Sequence, residues 1–256
     1  MQQHGIIFLG GLHRSGTSLL FRLLRDHPRV SGFRDTGVPE DEGQLLQTVY
    51  PPGREFGGPG RFGLDARAFL DETSPLVTPD NAERLFAQWS VHWDLDRPWL
   101  LEKSPPNLVR TRFLQALFPG SRFIMLLRHP VAVTLATRKW SGTAATELIE
   151  HWLRCHERFE ADRGRLEHVM DLRYEHLVTS PDAWMSRIHA FLGLEHVAAD
   201  ESVDSGINDR YFERWRAARA RRPRDFNALI ERFESRVRRF GYSLDDLSLF
   251  APGPTA

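Results

Sequence analysis

One unit near the start of the chain limits its possible folds more than any other: "GIIFLGGLHRSGTSLLFRLL", residues 5–24. Gly5 to Leu9 is a short apolar run bounded by glycine, the pattern of a buried strand. From Thr17 onward Leu19, Leu20, Leu23 and Leu24 recur at helical spacing until His27-Pro28 stops them. Between the two, Gly11 to Ser18 fits the G-x-x-x-x-G frame of a phosphate loop, with Thr17 where that loop carries lysine. A strand, a glycine turn and a helix in this order aim the helix's first amides beyond the strand end, where they and the helix dipole favour an anion. Thr17 and Ser18 add hydroxyl donors, and Arg14 adds a planar, permanently charged fork. The missing lysine is the one that reaches the outer phosphates of a nucleoside triphosphate.

The rest of the chain repeats the strand-then-helix order. Helical spacing marks residues 80–93, 144–163, 181–192 and 223–240. "PWLLEKS" reads as a strand, and "PPNLVRTRFLQALFP" as a helix opened by prolines, which suit the first turn. "RFIMLL" is the next buried strand, followed by a helix from Pro130, and "HVMDLRYEHL" is a further strand and its exit. Alternation of this kind predicts an α/β domain, residues 1–256, with a mostly parallel central sheet and helices on both faces. Residues 209–250 form its C-terminal helical segment. The stretch 31–63 is rich in glycine and proline and long for a connection inside a domain. Its aromatics Phe33, Tyr50, Phe56 and Phe62 predict an ordered segment covering the substrate.

Ligands of open parallel sheets bind beyond the carboxyl ends of the strands. Here those ends read "GGLHRSGTS", "EKS", Arg128-His129-Pro130 and "RYEHL". The "RFIMLL" strand thus ends in a cation where a kinase would carry a magnesium-binding aspartate. Fixed cations in that place predict a metal-free phosphate site. Bulk charge adds nothing to it: 34 basic residues balance 34 acidic ones, which argues against nucleic acid or an anionic membrane as partner. A single cysteine, Cys155, excludes an intrachain disulfide and a cysteine-built zinc site. With no leader pattern and no long apolar run, the expected location is cytoplasmic.

These residues resemble the sulfotransferases that use 3′-phosphoadenosine 5′-phosphosulfate (PAPS). "FLGGLHRSGTSLLFRLLRDHP" is similar to their 5′-phosphosulfate loop, and "RFIMLLRHPVAVTLATRKW" to their 3′-phosphate segment. "LRYEHLVTSP" resembles a segment of the tyrosylprotein branch, and "LLEKSPPNL" one of the heparan N-sulfotransferases. The resemblance implies a donor site in which Arg14, Ser15, Gly16, Thr17 and Ser18 hold the 5′ end and Arg128 the 3′-phosphate. The serine usual eight residues after that arginine is Ala136 here, which leaves Thr137, or Thr134, to substitute. Tyr174 is expected beside the adenine, and Asn208 or Arg210 of "INDRYFERW" is a further cofactor candidate.

Sulfuryl transfer needs a base for the acceptor and a cation for the leaving oxygen. Lys103 and Arg14 are the candidate cations; Glu102, adjacent in the strand, alternates to the other face. The base lies among Glu42, Glu40 and Asp35 of the long segment. Glu42 is preferred, because clustered carboxylates repel and raise one pKa. The acceptor is a hydroxyl or amine on a small molecule, sugar or peptide, with residues 141–146 helping to shape its pocket. A divergent ATP-dependent kinase, or a nucleotide-binding module without catalysis, is the competing reading. His13 is open between a substrate contact and a structural role. His129 is expected to start its helix, His151 to be ordinary helix content, Cys155 to be buried, and "RWRAARARRPR" to be a solvated helix end.

Overall fold

The computed structural model describes residues 4–198 and 205–250. Five strands form one sheet: β1 (Gly5–Gly11), β2 (Val30–Gly32), β3 (Trp99–Lys103), β4 (Arg122–Leu127) and β5 (Val169–Arg173). Their order is β2-β3-β1-β4-β5 and every pairing is parallel. β1 is therefore central, which explains why its sequence is apolar throughout: both faces are covered. Phe8 on one face packs against Trp89, Phe118 and Phe123, with ring centroids 5.5–6.1 Å apart. Lys103, on the opposite face, lies 5.9 Å over the ring of Phe21 in the first helix.

That helix, α1 (Thr17–Arg25), follows the glycine turn, and α2 (Pro79–Ser90) opens with a Thr78 cap that accepts from the Asn81 amide. α4 (Pro130–Ser141), α5 (Ala145–Arg163) and α7 (Pro181–Leu192) stand where the periodicity placed them. α6 (Tyr174–Thr179), α8 (Asp209–Arg221) and α9 (Pro223–Arg238) complete the helices with α3 (Thr111–Leu117).

Two elements differ from the sequence reading. The expected helix over "PPNLVRTRFLQALFP" is split into a 3₁₀ turn, Pro105–Val109, and α3, with Arg110 out of helical conformation between them. The Arg110 side chain is fully buried, its Nε donating to the Ala68 carbonyl at 3.1 Å and its guanidinium over Tyr50. This distant contact decides the break. β2, three residues long, carries no periodic signal and is an edge strand on β3.

The long segment is ordered by a succession of short 3₁₀ turns, and Phe33, Tyr50 and Phe62 are buried in the core. His151 of α5 is an anchor here rather than ordinary helix content. Its Nδ1 accepts the Gly63 amide at 3.0 Å, and Phe62 meets its ring edge-on at 4.6 Å. Burial holds its imidazole down to about pKa 3, the neutral form this acceptor role needs.

Candidate active site

The carboxyl ends of β1, β3, β4 and β5 lie along one edge of the sheet. The register pairs Leu9 with Lys103, Gly11 with Leu126 and Leu127 with Arg173. Just past that edge is a pocket of about 200 Å³ lined by His13, Arg14, Gly16, Thr17, Ser18, Glu40, Glu42, Arg128 and Tyr174, among others.

The loop after β1 is built by backbone geometry. Gly16 adopts φ +98°, and a β-carbon there would lie 2.4 Å from the Tyr174 ring, so only glycine fits. Arg14 is also left-handed, at φ +68°, a conformation that costs a non-glycine residue about 1–2 kcal/mol. Among the described residues no side chain caps α1, and its first turn holds no acidic residue. Its leading amides are thus available to an anion. Arg14 is exposed and stacks 4.7 Å over Trp140 at the end of α4. Ser15 faces inward: it is fully buried and its hydroxyl has no partner among the described residues.

Lys103 is buried at the end of β3. Its Nζ donates to the Glu40 carbonyl at 2.6 Å and stands 3.8 Å from Glu42 Oε1. The Glu40 carboxylate in turn accepts from Ser18 Oγ at 2.7 Å. Glu40 and Asp41 both have positive φ, so this turn is held in a costly shape by contacts with the loop and the lysine. Glu42 is only 6% exposed, and Gln44 Nε2 donates to its second oxygen at 2.5 Å. Burial raises the Glu42 pKa above its ordinary value; Lys103 and Gln44 oppose this and Glu40 adds to it. Burial likewise lowers that of Lys103, against its acidic neighbours. Asp35 is exposed in a separate turn and does not line the pocket. Glu102 does alternate to the far face, accepting from Ser104 and Asn107, and burial pushes its carboxyl up to about 7.

Arg128 lies 4.1 Å over the Tyr174 ring, so two of the expected donor-site residues stack on each other. Its Nη1 donates to the Arg14 carbonyl at 2.8 Å, tying β4 to the loop. Thr137 is not brought to the pocket. It sits beneath the long segment, its γ-methyl where a Gly60 β-carbon would come within 3.0 Å. Thr134 is buried, its hydroxyl unpartnered among the described residues. Ala136 packs with Ala132 on Tyr211, whose hydroxyl accepts from Arg210 at 3.1 Å. His129 does cap α4, its Nδ1 accepting the Val131 amide. His13 Nδ1 is buried without a partner among the described residues, and burial, then Lys103, hold the ring down to about pKa 3. Cys155 is fully buried, and burial raises its thiol. The basic run on α8 is mostly exposed, but Trp215 within it is buried and donates to the Leu244 carbonyl.

Sequence reasoning missed Trp140 and Glu175. Trp140 ends a helical run, and Glu175 falls in the exit of the "HVMDLRYEHL" strand, so neither carries a local signal. Among the described residues no group of three His, Cys, Asp or Glu is placed to hold a metal ion. No helix among them is long and apolar enough to cross a membrane.

A parallel sheet with a helix N-terminus at its central strand and the buried cations Lys103 and Arg128 at neighbouring strand ends defines an α/β protein whose strand-end edge could receive an anion. The comparisons with known proteins sharpen that class. The chain belongs to the sulfotransferase family, whose model matches residues 7–198. It is 27% identical over 201 residues to protein-tyrosine sulfotransferase 2 of Gallus gallus, covering 74% of this chain and 51% of that protein. It is 27% identical over 220 residues to nodulation protein NoeE of Sinorhizobium fredii (strain NBRC 101917 / NGR234), covering 74% and 50%. The chain thus spans about half the length of these relatives. The fold is similar to that of sulfotransferase STF9 from Mycobacterium avium, with a TM-score of 0.54 and 16% identity over 98% of this chain and 79% of that one. It also resembles the sulfotransferase domain of the Synechococcus PCC 7002 olefin synthase, with a TM-score of 0.51 and 21% identity over 81% and 86%.

Proposed function

We propose that this protein transfers a sulfuryl group from PAPS to a hydroxyl or amine of a small-molecule, sugar or peptide acceptor. The observation that carries the reading is the convergence on one pocket of the β1 loop, of Glu42, which pairs with Lys103 at the end of β3, and of Arg128 just after β4. The residues fit the donor. Uncapped amides of α1, with Thr17, Ser18 and Arg14, suit its 5′ end, and Gly16 leaves room for the Tyr174 ring above the loop. Arg128 has donors left for its 3′-phosphate. Bound there, PAPS supplies an activated sulfuryl group on a phosphate leaving group.

The protein's own part is positioning and charge. Lys103, buried and cationic, would stabilise the leaving oxygen. Its pairing with Glu42 keeps that ammonium charged against the cost of burial. Glu42, raised by burial, would accept the acceptor's proton; its reach into the pocket and its buried hydrogen bond to Gln44 favour it over the exposed Glu40. Arg14, stacked on Trp140, would close over the departing end. Relatives named for protein tyrosine support a peptide acceptor among the candidates.

The test is transfer of labelled sulfur from PAPS to a panel of phenolic peptides, sugars and amines. Labelled product is expected with at least one acceptor class, and Glu42→Gln should abolish it. Transfer of phosphate from ATP with magnesium, and none of sulfur, would replace this reading with a kinase.

A further inference from the structure

Arg128 is held by a side chain 80 positions away in the sequence. The single oxygen Oδ1 of Asn208 accepts from both Nε and Nη2 of Arg128, at 2.9 and 2.6 Å. The amide nitrogen of Asn208 donates to Glu175 Oε1 at 2.8 Å. Glu175 is saturated from other directions: the His129 amide reaches Oε1 at 3.0 Å and the Tyr242 hydroxyl reaches Oε2 at 2.7 Å. This chain of bonds fixes the orientation of the Asn208 amide. Flipped, it would set an N–H₂ against a guanidinium and an oxygen against a carboxylate.

The identity of the partner matters as much as its geometry. A buried arginine is most often held by a carboxylate, which aligns the fork but cancels its charge. Asn208 supplies the same two-point grip with no charge of its own, and keeps Glu175 one side chain removed. Of the five N–H hydrogens of Arg128, two go to Asn208 and one to the Arg14 carbonyl. Among the described residues one on each terminal nitrogen remains, in a side chain that lines the pocket. A fork held in one orientation, with two donors left and its charge uncancelled, suits a dianionic phosphate.

We propose that Asn208, backed by Glu175, is a positioning residue that makes Arg128 selective for a nucleotide carrying a 3′-phosphate over one without it. The inference rests on the donor reading above. Asn208 sets no step of the transfer; it governs which nucleotide the site prefers.

Calorimetric affinities for adenosine 3′,5′-bisphosphate and for adenosine 5′-monophosphate provide the test. The informative variant combines Asn208→Asp with Glu175→Gln, which keeps total charge and a hydrogen-bonding link but moves the carboxylate onto Arg128. The expected result is at least a tenfold fall in preference for the bisphosphate, with monophosphate affinity within about twofold of wild type. An unchanged preference, or an equal loss for both nucleotides, would overturn the proposal. If the double variant does not fold, Asn208→Ala gives the same reading, since an unanchored Arg128 should also lose the preference. A wild-type protein that fails to prefer the bisphosphate would refute the donor reading, and this inference with it.

Discussion

Glu42 and Glu102 are both buried carboxyls raised by desolvation, yet they serve different ends. Glu42 lines the pocket with Lys103 3.8 Å behind it, and its ionised form is the one a base requires. Glu42→Gln should therefore lower kcat by roughly 10²–10⁴-fold while leaving the affinity for adenosine 3′,5′-bisphosphate intact. The acid limb of the wild-type rate profile should fall at a higher pH than an ordinary glutamate gives; unchanged turnover would remove Glu42 from the chemistry. Glu102 is on the other face, with Ser104 and Asn107. Its pKa of about 7 when folded, against 4.5 unfolded, means the folded state holds the proton more tightly. Its contribution is present below pH 4.5 and is lost as pH rises through about 7, on the order of 3 kcal/mol. The melting temperature of Glu102→Gln should gain on wild type between pH 5 and pH 8, and a constant difference would contradict this. Much of the residue-level placement was readable, because the pocket-lining residues Arg14, Thr17, Ser18 and Arg128 follow strand ends. Thr137 was not: its face of α4 is set by Gly60 and Leu148, which belong to other elements.

Among the elements, the segment after β2 is the one that completes the site. Its turn at Pro39–Asp41 places the Glu40 carboxylate on Ser18 and the Glu40 carbonyl on Lys103, two groups assigned to the donor's 5′ end. On the proposed reading, a bound phosphosulfate would compete with that carboxylate for Ser18. Glu40→Gln should accordingly tighten bisphosphate binding several-fold by calorimetry, and weaker binding would show that the carboxylate supports the site. Further along, Gly63 touches α5 so closely that a β-carbon would lie 2.2 Å from Cys155 Sγ. Gly63→Ala should cost roughly 1–3 kcal/mol as an overpacked contact, read as a lowered Tm; an unchanged Tm would mean the segment is not anchored there. The sequence showed this segment to be ordered, through its aromatics, but not how it is pinned. The break at Arg110 and the three-residue β2 escaped for the same reason: each is decided by a tertiary partner, Ala68 and Tyr50 for the one and β3 for the other.

For the molecule as a whole, histidines held neutral by desolvation set the response to acid, His189 among them at about 4. His13, His129, His151 and His156 are all held down to about 3 by burial. Below about 6.5 the unfolded chain takes up protons that the folded one refuses, so stability is complete above that pH and falls as pH drops. A melting temperature that stays level from pH 7 to pH 4.5 would contradict this. The parallel sheet and its site-bearing edge were legible because apolar runs, glycine turns and strand-end cations are local patterns. The link from Asn208 to Arg128 spans 80 positions and leaves no such pattern. The fold gathers separate strand ends around one pocket, which the proposed function reads as a two-anion site. Calorimetric titration of the wild-type protein with adenosine 3′,5′-bisphosphate in EDTA, beside ATP with magnesium, tests that claim most directly. Saturable binding of the bisphosphate that is at least tenfold tighter than that of ATP is the predicted result. Tight binding of magnesium-ATP with indifference to the bisphosphate would contradict it.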